Sequence, residues 1–434
     1  MPRPEVGVHE MGVSEVLAAR RVQRKYNFIG FIFDADSGTR YDLIKLLGRG
    51  TFGRVYAATK SGAPAPEVAI KLFNPPRSRG ESPFNDEVET EYGISVLMRR
   101  RLGEEFCAER VVCATRRFYV SVTQEPVIIF PHVHGLNLKQ WLIAVQYRAM
   151  GDYTRALAER GFSTFSEVVI AIRNEQNQAT TISAYDEAYP ERRVELIRRL
   201  DDWKNYFVSL DRLFTRIQSG AMQFASQMLS TFDALTDANI YHSDIKPENM
   251  MVEFLAAEKR RLRLIDFGIG CAERLGTVDP LYDNNIGIFG CPLRYNQTIL
   301  FQDPLAMSVF PGRDHATVRK YTTAYQVYAI GKVLQCLFDP EAMHRQAVWP
   351  VVQATPFMPV GLLKLIVDMT GEQNYRPAGH WSSGDPFRLS VEEVEHRRAL
   401  FETRPTIKQA CARFEQLYNV WKETSGLEED SSGD

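Results

Sequence analysis

The sequence predicts an α+β protein with a small β-rich N-terminal lobe and a larger helical C-terminal lobe. Three observations predict it. Between Tyr41 and Phe73, short β-rich runs alternate with glycine turns. A single helical pattern over residues 84–102 separates these runs from two further strand-like runs, and after Gly135 the apolar residues fall at helical spacing.

Residues 1–40 read as an N-terminal extension. Val13, Val16, Leu17 and Val22 alternate there with Arg20, Arg21, Arg24 and Lys25, a pattern for a short amphipathic helix for which docking on the body of the protein is preferred over a membrane surface. The runs YDLIKLLGRG, RVYAAT and EVAIKLF predict three strands joined by hairpins. FNDEVETEYGISVLMRRRL predicts a helix, and RFYVSV and PVIIF two more strands. Residues 41–133 then form the smaller lobe and 134–422 the larger one. The larger lobe contains a helical insertion over 146–217, polar and weakly periodic in its first part. Leu196, Leu200, Trp203, Phe207, Leu210, Phe214, Ile217, Ala221, Phe224 and Met228 recur in steps of four and three. Such a heptad is compatible with a two-chain coiled coil. The aromatic seam favours instead two helices buried against one lobe, broken at Ser219-Gly220. Residues 423–434, ending in SGLEEDSSGD, predict an acidic disordered tail.

The chain has 434 residues, enough for two or three compact units and a sizeable core. Apolar residues at 44% and charged residues at 24% exclude a largely disordered or low-complexity chain. Fifty-two Lys and Arg against 54 Asp and Glu give a net charge of -2, so no bulk electrostatic term favours nucleic acid or an anionic membrane. Six scattered cysteines without a C-x-x-C pair indicate neither a zinc site nor a disulfide framework, and a reducing compartment is expected. Glu5, Glu10 and Glu15 interrupt any leader-like run, and no stretch approaches the roughly 18 apolar residues of a membrane span. A soluble, unanchored cytoplasmic chain is expected, with delivery as an effector the alternative.

Gly48-Arg49-Gly50-Thr51-Phe52-Gly53-Arg54-Val55 spells G-x-G-x-x-G-x-V between two predicted strands. Opening a helix, this would be a dinucleotide fingerprint; folded as a hairpin, it covers phosphates with backbone N–H groups. The run after Gly53 is strand-like, so the hairpin is preferred. Val68-Ala69-Ile70-Lys71 then sets a lysine on a strand, where its ammonium can meet phosphates. Tyr241-His242-Ser243-Asp244-Ile245-Lys246-Pro247-Glu248-Asn249-Met250-Met251-Val252 and Leu264-Ile265-Asp266-Phe267-Gly268 supply carboxylates, an amide and a second lysine.

In order and spacing these four motifs resemble those of the eukaryotic-type protein kinase superfamily, over roughly residues 41–422. The resemblance implies a two-lobed kinase-like fold and a divergent serine/threonine kinase using ATP and Mg²⁺. Asp244 would orient the substrate hydroxyl and accept its proton, and Lys246 would neutralise the γ-phosphate. Asn249 and Asp266, hard oxygen donors, would hold Mg²⁺. Lys71 would meet the α and β phosphates, oriented by a helix glutamate. Glu87 and Glu91 both qualify, and Glu91 is preferred because Ile94 and Leu97 come after it at apolar spacing. The ATP site would comprise Leu47, Gly48, Gly50, Gly53, Val55, Ala69, Lys71 and Met251. Phe130 would narrow its back, the backbone of Pro131 to Val133 would bond adenine, and Asn137 would reach the ribose or serve a turn. Gly268 would permit the turn beyond the metal ligand.

The pattern departs from the superfamily in several places. Ser243 stands where an arginine usually receives an activation-loop phosphate, so gating by such a pair is not expected. The segment through Thr277 and Tyr282 to Gly290-Cys291-Pro292-Leu293-Arg294-Tyr295 resembles the G-T-P-x-x-Y anchor, but no A-P-E comes after it. Arg376 and Arg404 are both candidates for the late arginine that pairs with that glutamate. Gln326 replaces an acid that caps catalytic-loop amides, and its amide oxygen can still accept such bonds. Segments 146–217 and 297–320 exceed ordinary kinase loops. The leading expectation is transfer to protein serine and threonine hydroxyls. A scaffold that binds ATP and engages a protein partner through the 146–217 insertion, and a kinase of small molecules, are the competing readings.

Overall fold

The computed structural model describes residues 30–50, 53–63, 65–74, 86–120, 125–185, 190–256, 259–272, 315–339, 355, 357–371, 399 and 402–425. The sequence-predicted features at residues 1–29, Thr277, Tyr282, 290–295, 297–314, Arg376 and 426–434 lie outside these. In chain order the elements are β1 (Gly30–Asp34), β2 (Thr39–Arg49), β3 (Gly53–Lys60), β4 (Val68–Phe73), α1 (Asp86–Glu109), β5 (Arg116–Tyr119), β6 (Pro126–Pro131) and β7 (Gly135–Asn137). Then come α2 (Leu138–Trp141), a π-helical turn (Leu142–Tyr147), α3 (Arg148–Glu159), α4 (Phe165–Tyr185), α5 (Pro190–Asp237) and β8 (Ile240–Tyr241). A 3-10 turn (Pro247–Asn249), β9 (Met250–Phe254), β10 (Arg260–Leu264), β11 (Cys271–Ala272), α6 (His315–Phe338), α7 (Leu362–Thr370) and α8 (Ile407–Ser425) complete the mixed α+β chain. Two compact units divide these elements.

The first unit holds the strands and α1. Six strands make a curled antiparallel sheet in the order β1-β2-β3-β4-β6-β5. Successive strand residues face opposite sides. Ile70, Leu72, Val127 and Ile129 therefore join Ile32, Tyr41, Leu43 and Phe118 in one buried cluster. Phe73, Ile128 and Phe130 join Val88, Val112, Ala114 and Val133 in another. Lys71 has the parity of Ala69 and Phe73, which directs it to the second face. In α1, Val88, Glu91, Ser95 and Met98 are all buried, spaced by three or four as one helix face requires. Glu91 therefore lies inward.

The sheet begins earlier than the sequence predicts, because Gly30–Asp34 pairs antiparallel with Asp34↔Thr39 and Gly30↔Leu43. This strand falls in the stretch expected to be an extension. Only five residues long and ending in an acid, it lacks the apolar alternation that marks strands. Its Asp34 is fully buried and satisfied by partners far away in sequence or across the turn. Arg116 Nε lies 2.5 Å from Asp34 Oδ2, and Ser37 Oγ donates to the same oxygen at 2.5 Å. Burial alone would raise this carboxyl's pKa; the bonds from Ser37 and Arg116 hold it below the ordinary value. Two smaller antiparallel sheets, β10-β9-β7 and β11-β8, carry the 240–272 segment.

The second unit is helical. Its aromatic cluster combines Met150, Tyr153 and Leu157 of α3 with Val168, Leu210, Ile217 and Phe357, and Trp203, Tyr206, Phe207 and Phe214 pack against it. The part of the heptad seam from Trp203 to Ile217 is thus covered from within the chain. The expected break at Ser219-Gly220 does not occur, since α5 runs unbroken from Pro190 to Asp237. Gly220 packs beside the Trp141 ring, from which a Cβ there would lie 3.4 Å, an ordinary contact. Among the described residues no helix is long and apolar enough to cross a membrane.

Candidate active site

The first unit gathers the motif residues. Val55 of β3 pairs with Lys71 of β4, and Ala69 pairs with Phe130 of β6. Gly48 and Val55 face one another across the hairpin, and Gly50 N–H closes it by donating to Gly53 O at 2.9 Å. Thr51 and Phe52 lie outside the described residues. The three motif glycines differ. A Cβ on Gly53 would sit 2.0 Å from the Leu72 carbonyl oxygen, whereas one on Gly48 or Gly50 would have nothing within 4 Å among the described residues. Ala69 and Met251 pack on the cluster that contains Phe130 and Val133, so these four share one apolar surface. Leu47 is exposed at the end of β2, and Pro131 pairs with Val68 at the end of β6. His132 N–H donates to Glu67 O at 3.0 Å. Asn137 belongs to β7, opposite Met251.

Lys71 lies between two carboxylates. Its Nζ donates to Glu91 Oε2 at 2.7 Å and to Asp266 Oδ1 at 2.8 Å. Burial alone would strip its proton, but Asp266 and Glu91 outweigh that and raise its pKa. Asp266 is driven the opposite way: despite burial, Lys71 holds it below the ordinary carboxylate value. Glu91, at the dry end of the cluster, is raised to about 7 by burial against the pull of Lys71. The side chain of Glu87 lies outside what the structure describes; Glu91 is the partner observed.

Asp266 takes a left-handed backbone (φ 64), and so does Ser243 (φ 62). Gly268 does not; its lack of a side chain leaves room, since a Cβ there would lie 3.3 Å from Asp266 Oδ1 and 3.4 Å from Glu91 Oε2. Space for the ion cluster, rather than a glycine-only turn, is what this position requires.

The 242–249 loop forms the other half. Lys246 Nζ donates to Asp244 Oδ2 at 2.7 Å, and Asn249 Nδ2 donates to the same oxygen at 2.8 Å and to Asp244 O at 2.9 Å. Both donors act on Oδ2, which leaves Oδ1 of Asp244 without a bond from either. Asn249 turns its amide nitrogen to Asp244, so its own oxygen points elsewhere. Ile265 N–H donates to Asn249 O at 3.0 Å and ties this loop to the strand leading into Asp266.

His242 is the residue whose role the sequence did not disclose. Its Nδ1 accepts from Asp244 N–H at 3.3 Å, so its proton is on Nε2, 2.8 Å from the Ile265 carbonyl. Burial lowers its pKa and keeps it neutral. Its ring centroid lies 4.4 Å from that of Phe267. One imidazole thereby holds the Asp244 backbone and the Asp266 approach together. Gln326 caps this loop, its Oε1 accepting from His242 N–H at 3.0 Å while its Nε2 has no hydrogen-bond partner. Ser243 is buried, its Oγ 3.8 Å from Cys271 Sγ. Arg404, in the second unit, is buried with its guanidinium carbon 5.3 Å from the Tyr328 ring centroid.

Among the described residues no group of three or more His, Cys, Asp or Glu converges as a metal centre. A carboxylate and an amide oxygen, from Asp266 and Asn249, suit magnesium, which usually keeps several waters and substrate phosphates. Comparison with known protein families and with curated proteins returns no match for this chain.

Proposed function

We propose that this chain is a divergent member of the eukaryotic-type protein kinase superfamily, with a two-lobed fold, that transfers the γ-phosphate of ATP to serine and threonine hydroxyls of proteins. The observation that carries the reading is the bridging of Lys71 to Glu91 and Asp266, next to the Asp244-Lys246-Asn249 cluster. A lysine is buried against two carboxylates, and a third acid, Asp244, is held by a second lysine.

In this reading the open backbone at Gly48 and Gly50 lies over the phosphates, and the surface of Ala69, Phe130, Val133 and Met251 takes the adenine ring. Leu47 and Val55 flank it, and the Pro131 to Val133 backbone supplies the polar bonds. Lys71 is held by Glu91 to meet the α and β phosphates. Asn249 and Asp266 hold Mg²⁺, which when bound neutralises phosphate charge. Asp244 keeps Oδ1 for the substrate hydroxyl and accepts its proton there, because Lys246 and Asn249 occupy Oδ2. Lys246 also screens charge on the transferred group. A phosphate-binding arginine is absent at Ser243, yet the Lys71 cluster is already assembled, which supports competence without activation-segment phosphorylation.

The test is transfer of labelled phosphate from Mg-ATP to a basic protein substrate. Asp244→Asn is expected to lower the rate by about 10³-fold while leaving the unfolding midpoint nearly unchanged, and Asp266→Ala to abolish it. ATP binding without transfer to any protein overturns the kinase reading in favour of a scaffold, with the 146–217 insertion as the partner surface. Transfer to a metabolite alone would assign a small-molecule kinase.

A further inference from the structure

We propose that Cys107 and Cys113 are a redox-modification site, closing to a reversible intramolecular disulfide that ties the end of α1 to the segment leading into β5. The Sγ atoms lie 2.9 Å apart, with Cys113 donating to Cys107, about 0.9 Å beyond the ~2.05 Å of a sulfur–sulfur bond. Both thiols are free and buried. Such proximity is not left to side-chain chance. Arg263 Nη2 donates to the carbonyls of Cys107 and Val111 at 3.2 and 2.9 Å, and Arg99 Nη2 donates to the carbonyl of Cys113 at 3.2 Å. Two guanidinium groups thus clamp the backbone at both cysteines.

The chemistry is asymmetric in a useful way. The Cys113 thiol hydrogen bond lowers the pKa of Cys107, helped by Arg99 and Arg263 and opposed by burial and Glu104. The same bond raises that of Cys113. Cys107 is therefore the attacking sulfur and Cys113 the resolving one. With a low-molecular-weight disulfide such as oxidised glutathione as oxidant, the Cys107 thiolate attacks one sulfur and releases one glutathione thiolate. Cys113, giving up its proton, then attacks the Cys107 sulfur and expels the second glutathione. The protein loses two protons and two electrons, and the electrons reduce the glutathione sulfur–sulfur bond to two thiols. Gly103 (φ 87, ψ 165) interrupts the helical backbone four residues before Cys107.

The position matters. Glu91 lies on the same helix, and Val111 bridges Leu264, the last residue of the strand that leads to Asp266. Oxidation would fasten the helix carrying one partner of Lys71 to the segment whose Val111 bridges the strand leading to the other.

The full-length protein is equilibrated in glutathione redox buffers, quenched with acid, labelled with maleimide after denaturation and digested with trypsin. Cleavage after Arg101, Arg110 and Arg116 puts Cys107 and Cys113 on separate peptides, 102–110 and 111–116. The expected result is that the two cysteines lose label together, the peptides become linked in oxidising buffer and dithiothreitol separates them. In Cys113→Ala, Cys107 is expected to accumulate as the glutathione adduct. A second arm refolds the protein from urea in the same buffers, so both thiols meet the oxidant. Unlinked peptides in both arms, separate glutathione adducts on both cysteines, or linkage only after refolding overturn the proposal.

Discussion

The ammonium of Lys71 lies 2.8 Å from Oδ1 of Asp266, 195 positions later in the chain, while Glu91 holds it from the other side at 2.7 Å. The strand parity of β4 and the helical parity of α1 converge on this nitrogen, so removing it should be felt in both stability and activity. Lys71→Met leaves Glu91 buried without its cation. The expected loss is about 3 kcal/mol, at the low end for breaking a buried pair, because Glu91 can take up a proton. If the chain transfers phosphate as proposed, the rate should fall by at least about 100-fold. Urea denaturation with a transfer assay checks both; unchanged stability would show that the pair adds nothing to the fold.

Glu91 makes stability depend on pH in a defined direction. Its pKa rises from 4.5 to about 7 on folding, so between those values the native state binds more protons at this site than the unfolded chain. Stability from this group is fully present below about 4.5 and lost as pH climbs through about 7. Asp266 acts oppositely: its lowered pKa gives stability present above 3.8 and lost only in more acidic solution. Glu91→Gln should remove the first dependence. The stability of wild type minus that of the variant should decline across this window by roughly 3 kcal/mol, read from urea midpoints at a series of pH values. A flat difference would contradict the assignment.

Much of this region was legible because its spacing is local. Period-two alternation in VAIKLF and PVIIF separates the two faces of the sheet, and the spacing of Glu91, Ile94 and Leu97 puts a glutamate on the inner side of α1. Other features depend on distant partners and leave no local mark. β1 pairs with β2 and ends on Asp34, whose buried carboxylate meets Arg116 from another strand. Helix α5 continues through Gly220 within a helix whose neighbours, among them the Trp141 ring, come from elsewhere in the chain, so a residue that reads as a breaker sits in a helix interior. His242 announces itself only as part of a loop, and its tautomer is set by bonds to Asp244 and Ile265 that no sequence pattern specifies.

Gln326 should contribute modestly to the fold and sharply to local order. Its Oε1 satisfies the His242 amide, but its Nε2 is a buried donor without a partner. Gln326→Met keeps the side-chain length, strands the His242 N–H and removes the orphaned amine. The two effects oppose, so the expected cost is about 1 kcal/mol rather than the larger penalty of a purely unsatisfied group. Amide exchange at His242 should nevertheless accelerate selectively. Unaltered exchange there would show that the hydrogen bond does not hold the loop.

The glycines of the β2–β3 hairpin should separate a packing requirement from a binding one. At Gly53 an added Cβ would lie 2.0 Å from the Leu72 carbonyl, the backbone next to Lys71, and that oxygen cannot yield without parting β3 from β4. Gly53→Ala should therefore cost about 3 kcal/mol, as overpacking does, and disturb Lys71 with it. At Gly50 nothing lies within 4 Å among the described residues, so Gly50→Ala should change stability by no more than about 0.5 kcal/mol. If the open face of this turn receives phosphates, the methyl group stands where the ligand approaches, and ATP affinity should fall several-fold in an otherwise intact protein. Calorimetric titration of ATP beside urea denaturation distinguishes the two variants. A Gly50→Ala protein that binds ATP as tightly as wild type would remove the turn from the nucleotide site, whereas weakened binding at full stability would tie the glycine to the ligand and not to the fold.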